Sequence, residues 1–268
     1  MKRNILLILT ILFFITNLSA QECEYKEYYQ IVDLAGKQFT KQNYKEAITQ
    51  YKLAFSKTDF PFGHDLDLAL FAANKTNDNA WAGLIAEKLA KGGVPLRYFG
   101  KYKRQKWYEK FKSEFENYSE YYTQNYNLEL KQGLISLLQR DREFNNKYHE
   151  WRTKEIDLTL NELIEGATTI LNDFESIIEK YGFPDEPLMG YNYVRRLNRI
   201  ETYRIEVLII HIYQSGVLIL KDEIDNVACT GGLHPKYAET LKGIRGFGNS
   251  TGIEQEMKVR YDKYRGDE

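Results

Sequence analysis

The sequence predicts an all-α protein, and three observations support this class. Apolar residues recur at spacings of three and four along most of the chain, which is the period of an amphipathic helix. Only five prolines are present, and many of the 18 glycines lie at the ends of apolar segments, so long stretches are free to form helix. A strand competes with helix only in the β-branched run at 207–210.

Residues 1–20 have the three parts of a secretory signal peptide. Two basic residues precede an apolar run at 5–16, and Ala20 is a small residue at the expected cleavage position. A retained membrane anchor is disfavoured because the run is shorter than the ~20 residues of a spanning helix. Lipid attachment at Cys23 is disfavoured because Glu22 precedes it. The sequence therefore predicts an exported protein, periplasmic or secreted, with no integral membrane segment after cleavage.

The charge balance gives no reason to expect nucleic acid as a partner. The chain has 37 basic and 38 acidic residues, and loss of residues 1–20 removes two of the basic ones, which leaves a net charge of −3. A nucleic-acid-binding domain normally carries a strong basic excess. We therefore expect the partner to be another protein or a peptide, with a glycan or polyanion as the alternative.

Residues 24–58 have the pattern of two short antiparallel helices. One helical run ends near Phe39, the break Lys41-Gln42-Asn43 follows, and a second run begins at Tyr44. Small and aromatic residues recur where the two helices would cross: Leu34-Ala35, Tyr44, Ala47, Tyr51 and Ala54. Small residues let two helices approach closely, and tyrosines fill the remaining gaps. The unit resembles the tetratricopeptide repeat, a family of stacked helical hairpins.

A second unit follows about one repeat length later. Apolar runs at 67–74 and 80–90 are separated by capping residues at 76–79 and closed by Gly92-Gly93 and Pro95. The spacing between the units is close to the ~34 residues of this repeat class. The resemblance implies a tetratricopeptide-like (TPR) region at residues 21–125 that binds protein partners, followed by a helical C-terminal domain at residues 126–268.

The C-terminal domain is predicted to contain four helices. They cover Tyr126–Trp151, Leu158–Tyr181, Arg204–Leu220 and Pro235–Gly243. From Leu137 onward the chain resembles a family of bacterial exported proteins whose domain has no assigned function. The residues that carry this resemblance are Asp141-Arg142, the segments 178–184 and 232–238, Gly190 and Ile209-Ile210-His211. The resemblance implies a helical fold and no particular chemistry.

His211 is the strongest catalytic candidate. Its ring lies in an apolar run and needs a hydrogen-bonding partner, which Asp141, Arg142, Glu179 or His234 could supply. A histidine paired with a carboxylate can transfer protons, as in a hydrolase-like or transferase-like enzyme. The favoured alternative is a core histidine that serves packing. The sequence lacks the common hydrolase, metalloprotease, phosphate-loop and dinucleotide motifs, which favours a binding or scaffolding protein without a cofactor over an enzyme.

Segment 97–112 interleaves basic and aromatic residues. Such a pattern suits a glycan or another polyanion, because the rings stack while the cations neutralise charge. The candidate binding residues are Tyr102, Lys103, Arg104, Lys106 and Trp107. The favoured alternative is a solvated helix face whose aromatic side chains pack inward beneath the lysine stems.

The two cysteines, Cys23 and Cys229, leave two alternatives open. In an oxidising compartment they can form a disulfide between the start of the mature chain and its C-terminal half, or they can remain free thiols. No metal site is predicted, because the four histidines are scattered along the sequence and none lies beside a cysteine.

Overall fold

The computed structural model describes residues 23–214 and 217–244. It confirms the all-α class, since thirteen α-helices in this part of the chain are accompanied by one short β-hairpin. The predicted signal peptide at residues 1–20 lies outside the described residues. Within the described ranges, no helix is both long enough and apolar enough to cross a bilayer.

Four helices form two antiparallel hairpins at the N-terminal end: α1 (Glu24–Thr40), α2 (Tyr44–Phe55), α3 (Gly63–Lys75) and α4 (Asn79–Lys91). Ala35 of α1 and Ala47 and Ala54 of α2 are fully buried, as their spacing predicts. Leu34, which the repeat pattern placed at the same crossing, is instead 50% exposed. A helix turns by about 100° per residue, so two adjacent residues cannot both face the partner helix.

A third layer covers the second hairpin. It consists of α5 (Leu96–Phe99), a 3-10 turn at Gly100–Tyr102, α6 (Tyr108–Ser113) and α7 (Phe115–Asn125). The aromatic side chains of this layer complete the first hydrophobic core. Trp107, just before α6, donates a 2.9 Å hydrogen bond from Nε1 to Oδ1 of Asn74 on α3. The basic and aromatic segment therefore turns its rings toward the hairpins.

The second half is built on α8 (Leu128–Arg152) and α9 (Leu160–Tyr181), whose bounds lie within two residues of the predicted ones. A capping box begins α9, in which Thr159 and Glu162 each bond to the other's backbone N–H. Four shorter helices follow: α10 (Glu186–Met189), α11 (Ile205–Gln214), α12 (Ile224–Cys229) and α13 (Pro235–Gly243). Their apolar faces and those of α8 and α9 form the second hydrophobic core.

The predicted helix Arg204–Leu220 is shorter in the structure. The helix α11 is described as far as Gln214, and residues 217–220 are not helical. The hydroxyl of Tyr213 donates a 2.6 Å hydrogen bond to the carbonyl of Ile219. This bond holds the segment that follows the helix close to the last turn of α11. Ile219 is itself buried. The apolar run therefore continues past the helix, and hydrophobicity alone could not locate the helix end.

A β-hairpin that the sequence did not predict lies between α10 and α11. Its strands β1 (Asn192–Val194) and β2 (Arg199–Glu201) pair antiparallel. Three residues are too few to show the alternating pattern by which a strand is recognised. Tyr191 and Ile200 pack into the first core although they belong to the second half of the sequence. The domain boundary at 125/126 stays a prediction.

Candidate functional site

Three aromatic rings, those of Phe39, Tyr44 and Phe71, meet beside the turn of the first hairpin, and we call them the aromatic cluster. Their ring centroids lie 5.5 Å apart for Phe39–Tyr44, 5.6 Å for Phe39–Phe71 and 5.8 Å for Tyr44–Phe71, all edge to face. Phe71 is 37% exposed, and the other two rings are half-buried. The cluster is therefore an apolar surface that solvent reaches.

Each ring of the aromatic cluster comes from a different helix. Phe39 lies in the last turn of α1, Tyr44 is the first residue of α2, and Phe71 lies on the solvent side of α3. The turn between α1 and α2 is tight, because Gln42 adopts a φ of 62° and donates its backbone N–H to the carbonyl of Phe39 over 2.9 Å. Because the turn is short, it fixes the positions of Phe39 and Tyr44 relative to each other.

Three exposed lysines lie on or beside the helices that carry the aromatic cluster. The ammonium of Lys75 lies 5.2 Å from the ring centroid of Phe71. Lys41 and Lys45 flank the turn that joins Phe39 to Tyr44. Among the described residues, none of these three lysines has a carboxylate partner. The surface therefore combines apolar rings with lysines that form no salt bridge among the described residues.

The residues that were predicted to bind a polyanion differ in their exposure to solvent. Tyr102 and Trp107 are buried in the first core, whereas Lys103, Arg104 and Lys106 are exposed. A base or a sugar stacks on an exposed aromatic ring, and these two rings are turned away from solvent. What the segment presents to solvent is a group of cations without a stacking platform.

His211 of α11 lies beside Asp141 of α8. The ring nitrogen Nδ1 is 2.9 Å from Asp141 Oδ2 and 3.1 Å from Oδ1. The histidine side chain is 26% exposed and the aspartate side chain 7%. Asn145, one turn further along α8, donates from Nδ2 to Asp141 Oδ1 over 3.1 Å. Of the four partners that the sequence suggested for His211, the structure brings Asp141 into contact.

Nδ1 of His211 has two polar neighbours. Besides Asp141, Nδ2 of Asn145 lies 2.7 Å from it, so a ring protonated at Nδ1 donates to the carboxylate, and a ring unprotonated there accepts from the amide. In the first form, Nε2 of the neutral ring can accept a proton. A carboxylate placed behind an imidazole is the arrangement used in general acid–base catalysis. The same bonds also satisfy a histidine whose role is structural.

Comparison with known proteins assigns no function to either site. No protein-family model, curated protein or solved structure matches this chain. The likeness to tetratricopeptide repeats and the likeness to the exported bacterial family therefore stay interpretations of the sequence. In the described ranges, no group of three or more histidine, cysteine, aspartate or glutamate side chains is placed to hold a metal ion.

A cleft of about 1080 Å³ lies beside the pair of cysteines. Cys23 and Cys229 form a disulfide, with their Cα atoms 4.5 Å apart, which joins the start of α1 to the end of α12. Within the cleft lining, the ammonium of Lys57 is 2.9 Å from Oε1 of Glu27. Asp185 is engaged as the N-cap of α10. The lining is mixed in charge and does not single out a class of ligand.

Sequence reasoning missed a buried acid between the two halves. Glu186 of α10 accepts a 2.8 Å hydrogen bond at Oε2 from the backbone N–H of Gly63, while its Oε1 has no partner among the described residues. Burial, with a smaller contribution from nearby Asp65, raises the pKa of Glu186 to about 8. The burial of Glu186 was hard to recognise from the sequence, because segment 182–187 is a polar helix end of the kind that is ordinarily solvated.

Proposed function

We propose that this chain is an exported helical binding protein that recognises another protein or a peptide through its N-terminal hairpins. The observation that carries the proposal is the aromatic cluster, an exposed apolar surface on a helical frame. Exposed apolar patches on folded proteins commonly mark interaction sites, because covering them with a partner removes apolar area from water.

The frame around the aromatic cluster supports this function. Buried alanines let α1 and α2 pack closely, and the third layer braces α3, for instance through the hydrogen bond from Trp107 to Asn74. Rings that are already fixed lose little conformational freedom when a partner binds, which favours affinity. Stacked helical hairpins of the tetratricopeptide type present extended surfaces to their partners in this way.

Two features of the chain support export. The signal-peptide pattern at residues 1–20 is one of them. The disulfide between Cys23 and Cys229 is the other, because such bonds persist in the periplasm and outside the cell and are rare in the reducing cytosol. We therefore propose that the protein acts in the periplasm or is secreted.

Peptide-display selection on the purified, oxidised protein tests the binding function. We expect enriched peptides to share a motif and to lose binding to Phe71→Glu, which places a charge in the aromatic cluster. Leu84→Glu is the matched control, because Leu84 is 65% exposed on α4 and does not belong to the cluster. Circular dichroism of both variants checks that they remain helical. Peptides that bind both variants equally well would place the function elsewhere.

A second candidate function is acid–base catalysis by His211. The observation that favours it is the buried carboxylate of Asp141 at Nδ1, with the histidine ring partly open to solvent. Such an enzyme would use Nε2 to accept and return a proton in a hydrolase-like or transferase-like reaction. A panel of ester, amide and phosphoester substrates tests this candidate. It fails if the panel shows no turnover, or if His211→Ala turns over a substrate as fast as the wild type.

A further inference from the structure

We infer that the segment bound at the aromatic cluster is an acidic peptide segment of a partner protein that carries an apolar side chain. This inference rests on the proposed function, since it names the chemistry of the partner for the same surface. The apolar side chain contacts the exposed ring of Phe71, and the carboxylates of the segment face Lys41, Lys45 and Lys75. The rings provide the apolar contact, and the lysines select the charge.

The fold leaves these three lysines without ionic partners, and the acidic residues nearest to them in sequence are engaged elsewhere. Oδ2 of Asp78 lies 2.8 Å from Nζ of Lys52. Oε1 of Glu46 accepts a 3.2 Å hydrogen bond from Nε2 of Gln50. A carboxylate supplied by a partner therefore meets ammonium groups that form no salt bridge with a described carboxylate.

Two other lysines on the same hairpins do form salt bridges. Lys52 of α2 lies 2.8 Å from Oδ2 of Asp78, and Lys91 of α4 lies 2.6 Å from Oε1 of Glu87. The hairpins thus neutralise some of their own cations. The three lysines around the aromatic cluster form no such pair among the described residues.

The helix dipole favours a positive charge at two of the three lysine positions and disfavours it at the third. Lys41 and Lys75 lie at the C-terminal ends of α1 and α3, where the helix dipole favours positive charge. Lys45 is the second residue of α2, at the helix end that carries a partial positive charge, so a cation is unfavourable there. A partner carboxylate beside Lys45 offsets this repulsion.

Charge distinguishes the acidic segment from two other occupants. In a symmetric dimer formed through the aromatic cluster, the lysines of one copy would face those of the other, and like charges oppose association. A glycan or nucleic acid without apolar groups would use the lysines but leave Phe71 uncovered. Of these three occupants, only a segment with both carboxylates and an apolar side chain matches both features of the surface.

Fluorescence anisotropy with labelled peptides tests the inference. The probe is a short glutamate-rich peptide with one central tryptophan, and its three companions replace the glutamates by glutamine, the glutamates by lysine, or the tryptophan by serine. We expect the probe to bind and each companion to bind at least about tenfold more weakly. The affinity of the probe should also fall as salt is added, because the attraction is between exposed charges.

Paired variants of the protein locate the site. Lys45→Glu combined with Lys75→Glu should weaken probe binding by about tenfold or more. Lys147→Glu combined with Lys154→Glu is the matched control, since these lysines are also exposed but lie in the second half of the chain, and its affinity should match the wild type. Circular dichroism again reports whether each double variant is folded.

The possible failures are distinguishable. Tight binding of the glutamine or lysine companion at Phe71 overturns the inference but leaves the proposed function intact. Heparin that binds as tightly as the probe assigns the surface to polyanions, and a dimer that Phe71→Glu dissociates assigns it to a second copy, so either result also overturns it. If no probe or display peptide binds at the aromatic cluster, both the inference and the proposed function fail.

Discussion

Asp141 is a carboxylate that the second core almost wholly covers, and burial of such a group is costly unless donors reach it. Its side-chain donors are Asn145, from the same helix, and His211, from a helix that begins 53 residues after α8 ends. The histidine therefore satisfies a group that would otherwise be left partly unpaired. The ring also fixes the contact between α8 and α11.

We expect His211→Ala to lower the free energy of unfolding by about 1–3 kcal/mol, from the lost packing and from the donor that Asp141 loses. Urea unfolding measures the change. His149→Ala is the control, because His149 is exposed on α8 and its removal should change stability little. A His211→Ala variant as stable as the wild type would contradict the structural role and favour the catalytic one.

Alanine substitutions at two glycines distinguish the cost of backbone strain from the cost of a steric clash. Gly182 and Gly190 have φ angles of 79° and 73°, in a region that other residues avoid. A Cβ at Gly190 would lie 2.5 Å from the carbonyl oxygen of Gly92, whereas a Cβ at Gly182 would meet nothing within 4 Å. We expect Gly182→Ala to destabilise by about 1 kcal/mol and Gly190→Ala by roughly 3 kcal/mol or more. Equal losses on chemical denaturation would mean that the chain relaxes around Gly190.

Sequence patterns could identify candidate residues but not the residues that they contact in the folded chain. His211 was recognisable as a polar ring in an apolar run, yet its partner Asp141 lies 70 residues away and was one of four suggestions. Phe39 and Phe71 belonged to helical runs, and nothing in either run showed that another helix would leave Phe71 partly uncovered. Contact and exposure of this kind depend on how helices pack, which is set by residues far apart in the chain.

At the scale of helices, the crossing of α1 and α2 depends on small side chains. We expect Ala47→Leu to lower the free energy of unfolding by roughly 1–3 kcal/mol, because Ala47 is fully buried and extra methylenes would push the helices apart. Thr49→Leu is the control, since Thr49 is exposed on the same helix. Thermal and urea unfolding should give the same ranking. An unchanged stability for Ala47→Leu would show that the crossing has spare room.

The existence of the helices could be predicted well, and their ends less well. Long periodic runs such as those of α8 and α9 are recognisable because many apolar residues repeat on one face. The end of α11 was misplaced because the buried chain after it is equally apolar. The strands β1 and β2 were missed because each has three residues, and their pairing depends on the first core, which the sequence does not display locally.

Across the whole molecule, the two halves meet at groups whose charge is affected by burial. Glu186 bonds to the start of α3, and its pKa is raised from 4.5 to about 8, chiefly by burial. A second such group is Lys131 of α8. Its ammonium donates to the hydroxyl of Tyr122 over 2.8 Å and to the carbonyl of Tyr191 over 2.7 Å. Burial lowers the pKa of Lys131 to about 8.

The raised pKa of Glu186 predicts that its contribution to stability falls as pH rises. Between about pH 4.5 and 8 the folded chain holds a proton at Glu186 that the unfolded chain has released, so the contribution is complete below this window and is lost through it. We expect Glu186→Gln, which keeps an acceptor for Gly63, to be more stable than the wild type at pH 8 by an amount on the order of a few kcal/mol.

Urea unfolding at pH 5 and pH 8 measures this effect. The advantage of Glu186→Gln should be present at pH 8 and should shrink toward pH 5, where the wild-type carboxyl is protonated in the fold. Glu179→Gln, an exposed substitution on α9, controls for the removal of one negative charge. An advantage of the same size at both pH values would contradict a titration at Glu186.

The disulfide sets an order of events during biosynthesis. Cys23 and Cys229 are 206 positions apart, so the second thiol leaves the ribosome only after α1 to α11 have been made. Until then α1 is held only by non-covalent packing, and Cys23 remains a thiol that can form mixed disulfides with other chains. Chains truncated before residue 229 would keep this reactive group permanently. A mixed disulfide formed early at Cys23 must therefore be exchanged before Cys23 can pair with Cys229 of α12.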